Sequence, residues 1–205
     1  MILHAFYNPN HVGDVLLCRF TNGQHDHDQK IGDICYIFNS KDEIIGMNVL
    51  NASSYFHIEN VGQVKITDEL VEKLNQMIDP QFNFTVEKDT KERLIVGKVV
   101  EIEEHPDSDH LHVCRVDLGD EVTQIVCGAP NVALNQKVVV ATIGTMMPNG
   151  QLIVPSKLRK VDSNGMLCSA RELYLPNAPQ VRGILVLDDD YEVGKPFLSQ
   201  FKGGL

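Results

Sequence analysis

The sequence predicts a mostly β chain in two parts, a small acidic α+β domain over residues 1–88 and a β-barrel or sandwich over 89–205. Three observations predict it. Short β-branched or aromatic runs bounded by Gly, Asn, Asp or Pro recur along the chain. One stretch near the middle, "TDELVEKLNQMIDP", has helical periodicity instead. The charged stretch "VEKDTKER" (86–93) is short of apolar residues and reads as the linker. A length of 205 residues suits one large or two small domains, each able to bury a core.

The elements follow in order. "MILHAFY", "DVLLCRF", "GDICYIFN" and "EIIGMNVL" read as strands, with Lys41-Asp42 as the hairpin tip between the last two. In the helical stretch Leu70, Val71, Leu74, Met77 and Ile78 share one face, with Thr67 as N-cap and Pro80 as stop. Beyond the linker the pattern is strand and turn: "LIVGKVVEIEE", "LHVCRVDLG", "TQIVCGA", "KVVVATIG", "QLIVPS", "GMLCSA" and "GILVLDD". Turns every ten to fifteen residues suggest a barrel or sandwich.

Composition narrows the function. Hydrophobic residues make up 43% and charged residues 22%, values of a globular chain. The apolar runs are too short to cross a bilayer, and no basic, then apolar, leader is seen at the N-terminus. Five cysteines without a C-x-x-C pair argue against a disulfide framework or a four-cysteine zinc site, and a reducing cytoplasm fits them. Cys114, Cys127 and Cys168 fall in or beside apolar strands and read as inert thiols. Neither a glycine-rich phosphate loop nor a nucleophile elbow is present. Net charge is -10, which on average opposes a polyanion partner. The charge is uneven, however. Residues 137–182 carry Lys137, Lys157, Arg159, Lys160, Arg171 and Arg182 against only Asp162 and Glu172, and local patches steer a polyanion more than totals do.

Three clusters in the second part bear chemistry: "HPDSDHLH" (105–112), "CGAPNV" (127–132) and the basic loop and strand "KLRKVDSNGMLCSARE" (157–172). In the first cluster His105-Pro106 ends a strand, Asp107, Ser108 and Asp109 form a turn, and His110 and His112 would share a strand face. A metal-dependent hydrolase would use His105, Asp109, His110 and His112 as ligands. In the first domain "GQHDHDQ" (23–29) follows Asn22-Gly23 and reads as a polar hairpin tip, with His25 and His27 a weaker metal pair.

Together, "VGKVVEIEEHPDSDHLHVCRVDLG", "QIVCGAPNV", "VVVATIGTMMP" and "KLRKVDSNGMLCSARELYL" resemble the tRNA-binding domain of EMAP II-like cytokine precursors. That domain is also appended to methionyl-tRNA synthetases and begins the bacterial phenylalanyl-tRNA synthetase β chain. The resemblance runs from about 94 to 174, and "GILVLDDDYEVGKPF" extends it to about 198. With a separate first domain, the arrangement is similar to the free-standing bacterial YtpR-type proteins. The resemblance implies an OB-fold, no metal, no cofactor, no catalysis, and a tRNA partner. By the same resemblance Ser163, Gly165, Met166 and Ser169 match "S-x-G-M-x-x-S", and Asn131 matches the asparagine of "C-G-x-x-N". Lys157, Arg159 and Lys160 are the expected phosphate contacts, with Ser163 and Asn164 as polar donors, Gly165 for close backbone approach, and His110 and Arg115 at the rim. The chain departs from the family at His110, where lysine is usual, at Ser108 (alanine) and at Lys160 (glycine). Free-standing members often pair as homodimers. A third reading makes the chain an adaptor, with the acidic first domain docking a protein partner.

Overall fold

In the computed structural model, which describes residues 1–202, the chain forms two compact units, Met1–Thr90 and a second from Lys91 onward.

The first unit is a six-stranded antiparallel sheet with one helix against it. Its strands are β1 (His4–Tyr7), β2 (Val15–Arg19), β3 (His27–Ile31), β4 (Ile34–Phe38), β5 (Ile44–Leu50) and β6 (Gly62–Gln63), in the order β3-β4-β5-β2-β1-β6. A single turn, α1, spans Pro9–Val12, and α2 spans Asp68–Met77. Thr67 caps α2, its hydroxyl accepting the Leu70 N–H at 3.2 Å. Leu70, Leu74 and Ile78 turn the apolar stripe into the core beside Leu16, Tyr36, Met47 and Val49. Pro80 does not end the helix directly; it opens a short 3-10 turn three residues after Met77.

Two expectations for this unit are corrected. The string 23–29 is not a hairpin tip. Its second half is the exposed edge strand β3, paired with β4, and the tip lies at Gly32-Asp33. Alternation is uninformative there because His27–Lys30 are exposed on both faces and only the last residue, Ile31, packs on the core. His27 stacks flat on Phe38, with centroids 4.9 Å apart. The linker is also shorter than expected. Val86 is buried, its backbone is clasped by the Asn75 amide, and Glu87 bridges to Ile2.

One end of this sheet is tied by Asp14. Its carboxylate accepts from the Ser53 hydroxyl (2.7 Å), the Ser53 N–H (2.9 Å) and the Tyr7 hydroxyl (2.9 Å). The Ser53 bonds hold the carboxyl below the ordinary aspartate range. A depressed carboxylate contributes stability above its unfolded value and loses it as pH falls through the folded value. The melting temperature of the wild type should therefore exceed that of Asp14→Asn at pH 7. The gap should close as the buffer is taken below about pH 4, and a gap that stays constant would contradict this.

The second unit is a nearly closed antiparallel barrel of OB type. It is built from β7 (Leu94–Glu104), β8 (His112–Asp117), β9 (Val122–Cys127), β10 (Lys137–Ala141) and β13 (Met166–Leu167) in the order β13-β10-β7-β8-β9. A separate hairpin, β11 (Ser156–Leu158) and β12 (Val161–Ser163), precedes β13, and β14 (Val186–Leu187) pairs with β10. The Asn164 N–H donates to Gln124 at 2.8 Å, drawing β9 toward the last strand. A bulge at Val100 shifts the phase of β7, so Val99 and Ile102 both reach the barrel core with Cys114, Val116, Ile125 and Val138. Cys114, Cys127 and Cys168 are buried, and desolvation pushes Cys114 and Cys168 up to about 12.

A second apolar layer covers one outer side of the barrel. Val96, Val139 and Ala141 meet Met147, Ile153, Leu173 and Leu175, together with Phe197 of the terminal turn α3 (Phe197–Gln200). "QLIVPS" contributes to this layer without forming a strand. It runs beside 144–147 through a bridge, Leu152 to Met146, and the backbone bonds of Ile153 with Gly144 and Thr145, and Ser156 then begins β11.

Candidate nucleic-acid interface

Two loops far apart in sequence meet at one end of the barrel. The loop joining β7 to β8 is 105–111, the histidine-rich string. The other is the β11–β12 hairpin, which the sequence presents only as a basic loop. Its tip is a two-residue turn with Arg159 at φ 42 and Lys160 at φ 72, both left-handed. Non-glycine residues pay about 1 kcal/mol or more for that geometry.

His105 fastens the two loops. It is 3% exposed; its Nδ1 accepts the Asp107 N–H at 3.1 Å, so Nε2 carries the proton and donates to the Leu158 carbonyl at 3.1 Å. Arg159 reinforces the junction by donating from its guanidinium to the Asp107 carbonyl at 2.5 Å. The charged rim therefore has a fixed base. His105→Ala should lower RNA affinity several-fold without removing a formal charge. It should also destabilise the barrel by about 1–3 kcal/mol, through a cavity and two orphaned backbone groups. Thermal melting beside a binding titration checks both effects.

The rim is mixed in charge. Lys157 pairs with Asp162 at 3.3 Å, Arg115 with Glu101 at 3.9 Å and His110 with Asp109 at 3.3 Å. Lys160 carries no ion pair among the described residues. A groove of about 830 Å³ along the barrel face is bordered by Arg115, Gln124, Asp162 and Asn164. Lys157, Arg159, Lys160, Arg115, Asn164 and His110 thus lie on or near one loop end and the adjoining strand face.

The remaining expected contacts lie elsewhere. Ser163 is 2% exposed, and its hydroxyl accepts the Val126 N–H at 3.1 Å; it holds the hairpin to β9 and offers nothing to phosphate. Gly165 does allow a close approach, but an inward one: a Cβ there would lie 3.1 Å from the Ala141 carbonyl and from Ile125. Asn131 forms a two-bond clasp with the Ile184 backbone (2.9 and 2.8 Å). Ser169 caps a turn with Glu172, oxygen to oxygen 2.6 Å. Met166 is half-buried against the outer layer. Of the basic segment, Lys137 is tied to the Asp189 and Tyr191 carbonyls, and Arg182 donates to the Gly128 carbonyl.

The geometry gives the metal reading no support. Both ring nitrogens of His105 are engaged, and His110 lies in the turn before β8 rather than sharing a strand face with His112. Among the described residues no group of three His, Cys, Asp or Glu is placed to hold an ion.

Comparison with known proteins fits this architecture. Residues 94–196 match the family described as "Putative tRNA binding domain", and residues 22–89 match one described as a domain of unknown function. The chain is 44% identical over 199 residues to the "Putative tRNA-binding protein YtpR" of Bacillus subtilis (strain 168), covering 95% of this chain and 99% of that one. The chain belongs to the YtpR-type family. This YtpR-type chain is also 41% identical over 132 residues to the phenylalanine--tRNA ligase β subunit of Sulfurimonas denitrificans, covering 63% of this chain but only 17% of that subunit. Among solved structures, the C-terminal domain of Plasmodium vivax p43 aligns over 50% of this chain and 56% of its own, with 25% identity and a TM-score of 0.37. No described helix is long and apolar enough to cross a membrane.

Proposed function

We propose that this YtpR-type chain is a non-catalytic tRNA-binding protein whose barrel grips the RNA backbone through the junction of the 105–111 loop and the 157–162 hairpin. The observation that carries the reading is that junction. His105 and Arg159 lock together two loops that flank the strand face by which OB-folds hold oligonucleotides. Family membership supplies the ligand class, since the relative that matches almost end to end is named for tRNA binding.

Lys160 and Arg159 would provide the point and forked charges, with Arg115 and Asn164 continuing the track along the groove. A rim of so few cations beside aspartates fits weak, backbone-directed, salt-sensitive binding rather than base-by-base readout. Five cysteines, all free thiols, suit a reducing compartment such as the cytoplasm. The test is a titration of the full chain with bulk tRNA and with a DNA duplex of equal length, repeated from about 50 to 200 mM salt. Tighter binding of tRNA, with affinity falling linearly on a log–log salt plot, is expected. Equal binding of both nucleic acids, or none at the lowest salt, would overturn the reading.

A further inference from the structure

Tyr174 stands where the backbone asks for glycine. The turn capped by Ser169 and Glu172 ends with the Leu175 N–H donating to the Ala170 carbonyl (3.0 Å) and the Tyr174 N–H to the Arg171 carbonyl (3.0 Å). Those two bonds make Tyr174 the left-handed residue of a Schellman closure, and its φ is 53. Glycine fills that position at no steric penalty, whereas a bulky side chain there is strained. The strain gains no packing, because Tyr174 is 67% exposed while its neighbour Leu175 is buried in the outer layer.

The surroundings give the exposed ring a use. Arg171 borders the shallow depression that Tyr174 lines, and it also borders an adjoining cleft of about 450 Å³ that includes Arg182. That cleft is lined by Val126, Leu167 and Ile184, by Gly128, whose carbonyl takes one Arg182 donor, and by Glu172, whose carboxylate is turned onto Ser169. An accessible aromatic face, two guanidiniums and an apolar lining suit an unstacked nucleotide: the ring stacks the base while arginine meets phosphate. The chain has no tryptophan, so an exposed tyrosine is among the few side chains that could supply a stacking platform.

We propose that Tyr174, with Arg171 and Arg182 along the adjoining cleft, forms a second RNA contact that stacks one single-stranded base, apart from the hairpin rim. This rests on the RNA-binding reading above and adds to it a preference for unpaired nucleotides.

The test uses the full chain and a single-stranded RNA of about eight nucleotides, within the range one OB-fold covers, and the same strand annealed to its complement. Tyr174→Gly should raise the barrel's melting temperature by about 2–5 °C, because it relieves the left-handed strain. It should also weaken single-strand binding by about 5- to 100-fold and leave duplex binding nearly unchanged. A merely structural tyrosine would not give gain and loss together. Tyr174→Trp introduces the chain's one indole, and its emission should be quenched as single strand is added. Arg171→Ala/Arg182→Ala should weaken the same binding. Single-strand affinity unchanged in Tyr174→Gly, or indole emission indifferent to saturating RNA, would overturn the proposal and leave the patch to a protein surface. If bulk tRNA still bound with a salt slope set by the hairpin, only the platform would fall. If the wild type bound neither RNA, the RNA reading would fall with it. Should Tyr174→Gly not fold, the indole emission and the double arginine variant decide.

Discussion

Replacing Lys157, Arg159 and Lys160 together by alanine is expected to weaken tRNA binding by about 10- to 100-fold at low salt and to flatten the log–log salt slope by about two. Each neutralised phosphate contributes somewhat less than one to that slope, so three free cations would contribute up to about three. Lys157 is discounted because Asp162 already lies 3.3 Å from its ammonium. Arg159 keeps spare donors beyond the one given to Asp107, since a guanidinium carries five. Lys160 is committed to no carboxylate among the described residues. The variant should fold, because alanine at φ 42 and 72 is no more strained than arginine and lysine there. Asp162→Asn in the same assay should move affinity the other way by releasing Lys157. A triple variant with unaltered slope would remove the hairpin from the interface.

The other large effect concerns the tail. Phe197 is fully buried in the outer layer and lies near the rings of Tyr191 and Phe201, at 6.1 and 5.2 Å. Phe197→Ala should destabilise the barrel by about 3–5 kcal/mol, the range for emptying a buried aromatic site. For a unit of this size that lowers the melting temperature by well over about 10 °C. The family match ends at residue 196, one position short of this anchor. Hydrogen exchange resolved by peptide should show protection lost in β7 and β10 and retained in the first unit. Protection lost in both units alike would contradict the assignment of Phe197 to the barrel.

The sequence disclosed most of the strands, because one buried and one wet face leave alternating letters, as in β2 and β4. It disclosed α2 because Leu70, Leu74 and Ile78 recur with the helical period after a capping threonine. It failed at β3, where only the last residue packs on the core, and at 156–163, where "loop" and "hairpin" share one polar composition and only paired positive φ values separate them. For the candidate site, residue types were legible and roles were not. Ser163 and Asn131 look like ligand donors in a string of letters, but their partners Val126 and Ile184 lie 37 and 53 residues away. Likewise His105 reads as a metal ligand until its carbonyl partner, 53 residues on, is seen. Long-range pairing carries no local signature, and it decides whether a polar side chain faces a ligand or holds the fold together.

The clasp of Asn131 on Ile184, the β14 pairing along β10 and the seat of Phe197 also set an order of events in time. The barrel's outer layer is finished by residues that leave the ribosome after all the other barrel strands, whereas every strand of the first unit is complete by Gln63 and its helix by Met77. At about 5–20 residues per second, the first unit has several seconds in which to fold while the barrel waits for its closing strap. A nascent barrel without that strap would leave Val96, Val139 and Ala141 short of Phe197 and only partly covered, so chains interrupted before Phe197 should be the ones that chaperones retain.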